Sequence, residues 1–95
     1  MSARNIICEA IEQRRLLSFI YKGETRTAEP YILGLDDAGT LTLSAVQVSG
    51  GSGRGFRTFP LEGVSSLAAT DTKFFRNHPD YNPRDRFFAS VICQV

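Results

Sequence analysis

The sequence predicts a mainly β domain of the α+β class: a small five-stranded antiparallel barrel with a helix at each end. Three observations carry this. Apolar and polar residues alternate in short runs, as in Leu17, Phe19 and Tyr21 and again in Leu41 and Leu43. Turn residues separate these runs at short intervals, at Lys22-Gly23, at Asp36-Asp37-Ala38-Gly39 and around Pro60 and Gly63. Helical spacing of apolar residues occurs only near the two ends.

The elements follow in order. Ser2 suits an N-cap, and Ala3, Ile6, Ile7, Ala10 and Ile11 fall on one helical face. Arg14 and Arg15 fall in the last turn, where cations complement the helix dipole, and read as a cap plus a solvated face. Residues 16–21 form a first strand, and the turn at Gly23 returns the chain into residues 25–35. Pro30 removes a ladder donor there, so this strand lies at an edge or is bent. A Gly-tipped hairpin loop leads into residues 40–48, where the alternation slips near Ala45 and suggests a bulge. Residues 49–55 (Ser-Gly-Gly-Ser-Gly-Arg-Gly) read as a flexible loop. Two further strands, residues 56–61 and 64–69, complete the barrel. Asn82-Pro83 is a good helix start, and Phe87, Phe88, Val91, Ile92 and Val95 make a helical stripe behind it. The expected layout is one domain over 1–95: helix 1–15, barrel 16–75, helical extension 76–95. The core is expected from Ile6, Ile7, Phe19, Leu33, Leu41, Leu43, Phe59, Leu61 and Leu67.

Bulk properties narrow the function. Ninety-five residues fit one domain with a modest core. A net charge of +1 gives no global basic field, so any nucleic-acid affinity must come from a local patch. No run of about 18 apolar residues marks a membrane span, and charges throughout residues 2–15 argue against a signal-peptide core. Cys8 and Cys93 lie near opposite ends without metal-ligand spacing, and the single histidine, His78, does not complete a zinc set. Both cysteines therefore read as free thiols in a reducing cytoplasm. Catalysis is not expected. His78 sits in a Pro-flanked turn with no nucleophile beside it in sequence, and Asp36-Asp37 occupy an exposed hairpin tip. No cofactor and no metal are expected.

Two arginines at strand positions, Arg26 and Arg57, are the strongest chemical signal. An aliphatic core has no use for them, whereas a phosphate does, because the planar guanidinium forks onto its oxygens. Each has a rival reading. Arg26 can pair with Glu24 or Glu29 at the surface, and Arg57 with Glu62. Tyr21 reads either as a core-edge residue or as a ring for stacking.

The order of pieces resembles a WYL domain, a bacterial and phage module with an Sm-like, SH3-type β-barrel. The resemblance rests on Ile6-Ile7-Cys8-Glu9-Ala10-Ile11, Phe19-Ile20-Tyr21-Lys22-Gly23, Arg26-Thr27-Ala28-Glu29-Pro30, Leu33-Gly34, Leu41-Thr42-Leu43-Ser44-Ala45 and Arg57-Thr58-Phe59-Pro60-Leu61. It covers about three quarters of the chain, residues 6–75, and the Pro79-Asp80-Tyr81-Asn82-Pro83 tail is similar to that of short stand-alone members. The family's Trp-Tyr-Leu triplet falls on Leu41-Thr42-Leu43, and a position that often holds arginine is Gly63 here.

The resemblance implies binding rather than chemistry: a ligand-sensing or nucleic-acid-binding module in transcription regulation or antiviral defence. The implied ligand is a nucleotide or single-stranded nucleic acid. Arg26 and Arg57 would engage phosphate. Tyr21 and Tyr31 would offer rings to bases. Ser44 and Gln47 would add neutral hydrogen-bonding groups, and Arg54 would help the Gly-rich loop close over an anion. The alternative is an interaction module whose barrel edge and C-terminal helix build a homodimer or dock on a regulated partner protein. The C-terminal helix either packs back on the domain or docks on a second chain; two adjacent phenylalanines, Phe87 and Phe88, do not easily both face inward on one helix, which points to the homodimer.

Overall fold

The computed structural model describes residues 2–50 and 54–95. One helix, α1 (Ala3–Gln13), precedes six strands: β1 (Arg15–Tyr21), β2 (Glu24–Leu35), β3 (Leu41–Ser49), β4 (Gly55–Pro60), β5 (Val64–Lys73) and β6 (Ser90–Gln94). A 3-10 turn, Leu61–Gly63, connects β4 to β5. All strands pair antiparallel in one six-stranded sheet of order β4-β3-β2-β1-β5, with β6 added to β2. The sheet does not close into a barrel, because among the described residues no pairing joins β4 to β5.

Local chemistry explains the first elements. The Ser2 hydroxyl accepts from the Asn5 N–H at 3.1 Å and caps α1. Arg14 ends the helix in the left-handed conformation at φ 55°. Its side chain departs from the solvated face expected of it. The guanidinium lies 5.3 Å over the Phe74 ring, and Nη2 donates to Asn77 Oδ1 at 2.7 Å. Lys22 and Gly23 both take positive φ, 51° and 77°, the two-residue turn whose twist suits a tight hairpin between β1 and β2.

β2 is the central strand, and its length organises the rest. β1 pairs with its first part, from Tyr21 opposite Glu24 to Leu17 opposite Ala28. Beyond Ala28, that side of β2 has no partner from β1. The chain terminus supplies one: β6 pairs Ile32 with Gln94 through Leu35 with Ser90. Pro30 falls in the gap between these two partners, where a missing N–H is best tolerated, so the bent alternative holds and the edge alternative does not. The bend appears in the pairing with β3, where Pro30 stands opposite Ala45 and Ile32 opposite Ser44. The slip expected near Ala45 is therefore present, with the extra residue, Tyr31, on the opposing strand.

The C-terminal helix is not formed. Residues 82–89 make successive turns, with Asn82 Oδ1 accepting from Arg84 N–H and Asp85 Oδ1 from Phe87 N–H. Residues 90–94 are strand. A short helix carries a nucleation cost, whereas β2 offers a row of unpaired backbone groups that pairing satisfies. Phe88 is buried and Phe87 is 41% exposed, so the helical stripe that suggested a homodimer does not exist.

β6 also overturns the reading of two free thiols. It brings Cys93 beside α1, and Cys8 and Cys93 form a disulfide with Cα atoms 5.8 Å apart. Their sequence separation of 85 hid this proximity.

Two hydrophobic clusters flank the sheet. The main one joins Ile7, Ala10 and Ile11 of α1 to Leu17, Phe19, Leu33, Leu43 and Phe59, with Ile6, Leu41, Leu61 and Leu67 packed at its margin. Every expected core residue thus lies in or against it. The second cluster, absent from the expected core, comprises Leu16, Tyr31, Ile32, Val46, Phe74 and Phe88.

Candidate functional site

The bulge at Tyr31 builds the second cluster. By inserting one residue, it turns Tyr31 and Ile32 toward the same cluster, while Leu33 returns to the main core. Tyr31 is fully buried and sits among Tyr81, Phe56 and Phe74, with ring centroids at 4.8, 5.3 and 5.4 Å. Its hydroxyl accepts from the His78 N–H at 2.8 Å and donates to Glu29 Oε1 at 3.2 Å. Burial raises the Tyr31 pKa, and the His78 N–H offsets this in part. These bonds pin the segment after β5 across the sheet. Tyr81 is pinned as well, its hydroxyl donating to Val95 O at 2.9 Å, and burial raises its pKa while Arg14 acts the other way.

A cleft of about 450 Å³ remains between this segment and β3–β4. That volume lies within the range of small-molecule sites. Ile32, Ser44, Phe56 and Thr58 line it from the sheet, Arg57 lines it from the edge strand β4, and Asp80, Tyr81, Asn82 and Asp85 face it from the C-terminal segment.

The polar groups of the cleft are held in part by their own neighbours. Ser44 is 4% exposed, and its hydroxyl makes no hydrogen bond among the described residues. Thr58 stands directly opposite it across the strand pair. Arg57 is half-buried, and its Nη1 donates to Phe56 O at 2.9 Å. Among the described residues it has no carboxylate within 4.0 Å, so the pairing with Glu62 is not made. Asp85 is half-buried and oriented by the Phe87 N–H it accepts at 3.0 Å. Asp80 is exposed. Its carboxylate lies 3.9 Å from His78 Nδ1, but that nitrogen already accepts from the Asp80 N–H at 3.1 Å.

The other residues singled out from the sequence fall elsewhere. Tyr21, Arg26 and Gln47 come together at the margin of the main core. Arg26 is 8% exposed and donates from Nε to Tyr21 O at 3.2 Å and from Nη1 to Gln47 Oε1 at 2.9 Å. Its Nη2 stands 3.9 Å from Glu24, and its guanidinium lies 5.2 Å from the centre of the Tyr21 ring. Gln47 is fully buried and donates to Gly50 O at 2.7 Å, which anchors the base of the following loop. Tyr21 packs edge-on against Phe59 with centroids 5.1 Å apart. Arg54 is exposed, and residues 51–53, where the anion-closing loop was expected, lie outside the described residues. Of the seven residues, only Ser44 and Arg57 line the cleft, and Tyr31 supports it from beneath.

Sequence reasoning missed the contribution of residues 80–85. Asn82-Pro83 reads from sequence as a helix start, and nothing local showed that the segment instead folds across the sheet. A second hollow of about 390 Å³ lies between α1 and β5. Its one cation, Arg15, is already held by Gln13 Oε1 at 2.8 Å and lies 3.7 Å from Asp71. Among the described residues no group of three or more His, Cys, Asp or Glu is arranged to hold a metal, and no helix is long and apolar enough to cross a membrane.

Compared with known proteins, the chain matches no family model, no curated protein and no solved structure. The resemblance to WYL domains therefore rests on the sequence motifs alone.

Proposed function

We propose that the chain is a non-catalytic binding module that takes a nucleotide-sized anionic ligand in the cleft beside Arg57. The observation that carries this is a half-buried arginine without a carboxylate partner among the described residues, Arg57, lining one cavity together with the Ser44 hydroxyl and the Phe56 and Tyr81 rings. A guanidinium that meets no carboxylate is free to fork onto the oxygens of a phosphate. Phe56 and Tyr81 supply flat apolar walls for a base. The element order supports the reading. A leading helix followed by a mainly antiparallel β domain agrees with the coarse layout that the WYL resemblance implies. On this reading the module senses a nucleotide and passes its state to a regulatory partner. The cleft is short, which favours a mononucleotide or strand end over a long single strand. The disulfide sits better with an oxidising compartment than with the cytoplasm.

The test is a titration with nucleoside monophosphates and labelled single-stranded DNA and RNA, followed by tyrosine fluorescence, since the chain has no tryptophan. Arg57→Ala should weaken binding by about 1.5–3 kcal/mol, the worth of hydrogen bonds to a charged group. No binding to any of these ligands sinks the reading.

The open sheet supports a second reading. β4 and β5 each have a single paired neighbour among the described residues, and Phe75, just past β5, is 83% exposed. Free edges of this kind recruit another strand, so failure of every ligand would favour an interaction module docking a partner or a second copy. Light scattering and cross-linking across β5 would test that.

A further inference from the structure

We infer that the cleft selects a guanine nucleotide, with the Asp85 carboxylate reading the base edge and Arg57 holding the phosphate. This rests on the nucleotide reading above and narrows it to one base.

The cleft carries both signs of charge, and that limits what fits. Arg57 lines it at β4, while Asp80 and Asp85 line it from the C-terminal segment. A ligand that is anionic throughout, such as a polyphosphate, would meet two carboxylates. A purely apolar ligand would make no use of Arg57, whose hydrogen bond among the described residues goes to Phe56 O, or of the Ser44 hydroxyl. The ligand must therefore be anionic at one end, rich in N–H donors at the other, and flat and apolar between. A nucleoside monophosphate has this form.

The bases differ at the edge a carboxylate would meet. An ionised carboxylate only accepts hydrogen bonds, and it does so with two oxygens side by side. Guanine presents two adjacent donors, N1–H and N2–H, that match this pair. Adenine and cytosine present one amino donor beside a ring nitrogen that repels the second oxygen. Uracil presents one N–H between two carbonyls. Guanine alone satisfies both carboxylate oxygens.

Asp85 is the better reader of the two acids. It is half-buried, and the Phe87 N–H fixes one oxygen at 3.0 Å, which leaves the rest of its acceptor capacity for a ligand. Asp80 is exposed, with its side chain at 81% accessibility, and contributes mainly charge. The Ser44 hydroxyl, which lines the cleft and makes no hydrogen bond among the described residues, is the second polar feature that a ligand would complete.

The experiment uses the full chain with its disulfide intact. GMP, AMP, CMP and UMP are each titrated by isothermal calorimetry against wild type, Asp85→Asn and Arg57→Ala. Asparagine keeps the carbonyl that accepts from Phe87, so the turn survives the substitution. GMP should bind at least about tenfold tighter than the other three, within what one bidentate base contact discriminates. Asp85→Asn should erase most of that preference while leaving AMP affinity nearly unchanged. Arg57→Ala should weaken all four alike. Equal binding of the four nucleotides by wild type, or a guanine preference that survives Asp85→Asn, overturns this inference and leaves the nucleotide-binding reading standing. Absence of binding by all four overturns both.

Discussion

The ring of Tyr21 lies against Gly63: a Cβ at that glycine would stand 2.9 Å from Tyr21 Cε1. Tyr21 holds Phe59 edge-on and its carbonyl receives Arg26, so the glycine supports the whole corner. Gly63→Ala should destabilise the fold by about 1–3 kcal/mol through overpacking. Thermal unfolding would show this, and an unchanged midpoint would mean that the corner relaxes freely.

Arg26 and Arg57 should separate cleanly under mutation. Arg26→Ala removes the guanidinium that bonds Tyr21 O and one of the partners of the buried Gln47 side chain, and should lower stability by about 1–3 kcal/mol. Arg57→Ala leaves one neighbouring carbonyl on an edge strand, and should change stability by less than about 0.5 kcal/mol. Binding should respond in the opposite order. Urea denaturation alongside ligand titration checks both halves. A large loss of stability in Arg57→Ala would return that residue to a structural role.

Much of this architecture was legible from local sequence. The capped helix, the Lys22-Gly23 hairpin and the strands flanking it are set by neighbours within a few residues. The C-terminal strand was not, because its partner is the far half of β2 and its apolar residues fit a helical stripe equally well. The disulfide follows from that strand and was hidden with it. Of the cleft, Arg57 and Ser44 were legible as polar residues on strands. Asp85 and Tyr81 were not, because their placement depends on the Tyr31 hydroxyl gripping His78 from across the sheet.

The Tyr31 hydroxyl should therefore be worth measuring. Tyr31→Phe leaves the His78 N–H and Glu29 without it, and should cost about 1–3 kcal/mol. Amide exchange in residues 76–82 should accelerate more than in β1.

Alkaline pH offers a second view of the same ring. Tyr31 has its folded pKa raised above the unfolded value near 10, so the folded state holds the proton longer. Its contribution is fully present below pH 10 and is lost as pH rises from there through the folded pKa, because only the unfolded chain ionises readily. Tyr81 acts in the same direction. Stability should fall above pH 10, and in Tyr31→Phe the fall should be shallower. An identical alkaline slope in that variant would contradict the assignment.

Cys8→Ser with Cys93→Ser should lower stability by about 2–5 kcal/mol, the usual cost of removing a disulfide from a small domain. Reductant should act on wild type in the same direction. The first amides to lose protection should be those of β6, since the bridge ties that strand to α1.

The bridge also decides how the molecule answers a pull. With Cys8 joined to Cys93, the chain between them is a covalent ring, and tension applied near the two ends passes through the sulfur atoms rather than through the sheet. Stretched in this way, the oxidised protein would not extend between the two cysteines, and the Arg57 cleft would be shielded from load. Once the bridge is reduced, the same force would act first on β6 and peel it from β2, and the segment that walls the cleft would leave with it.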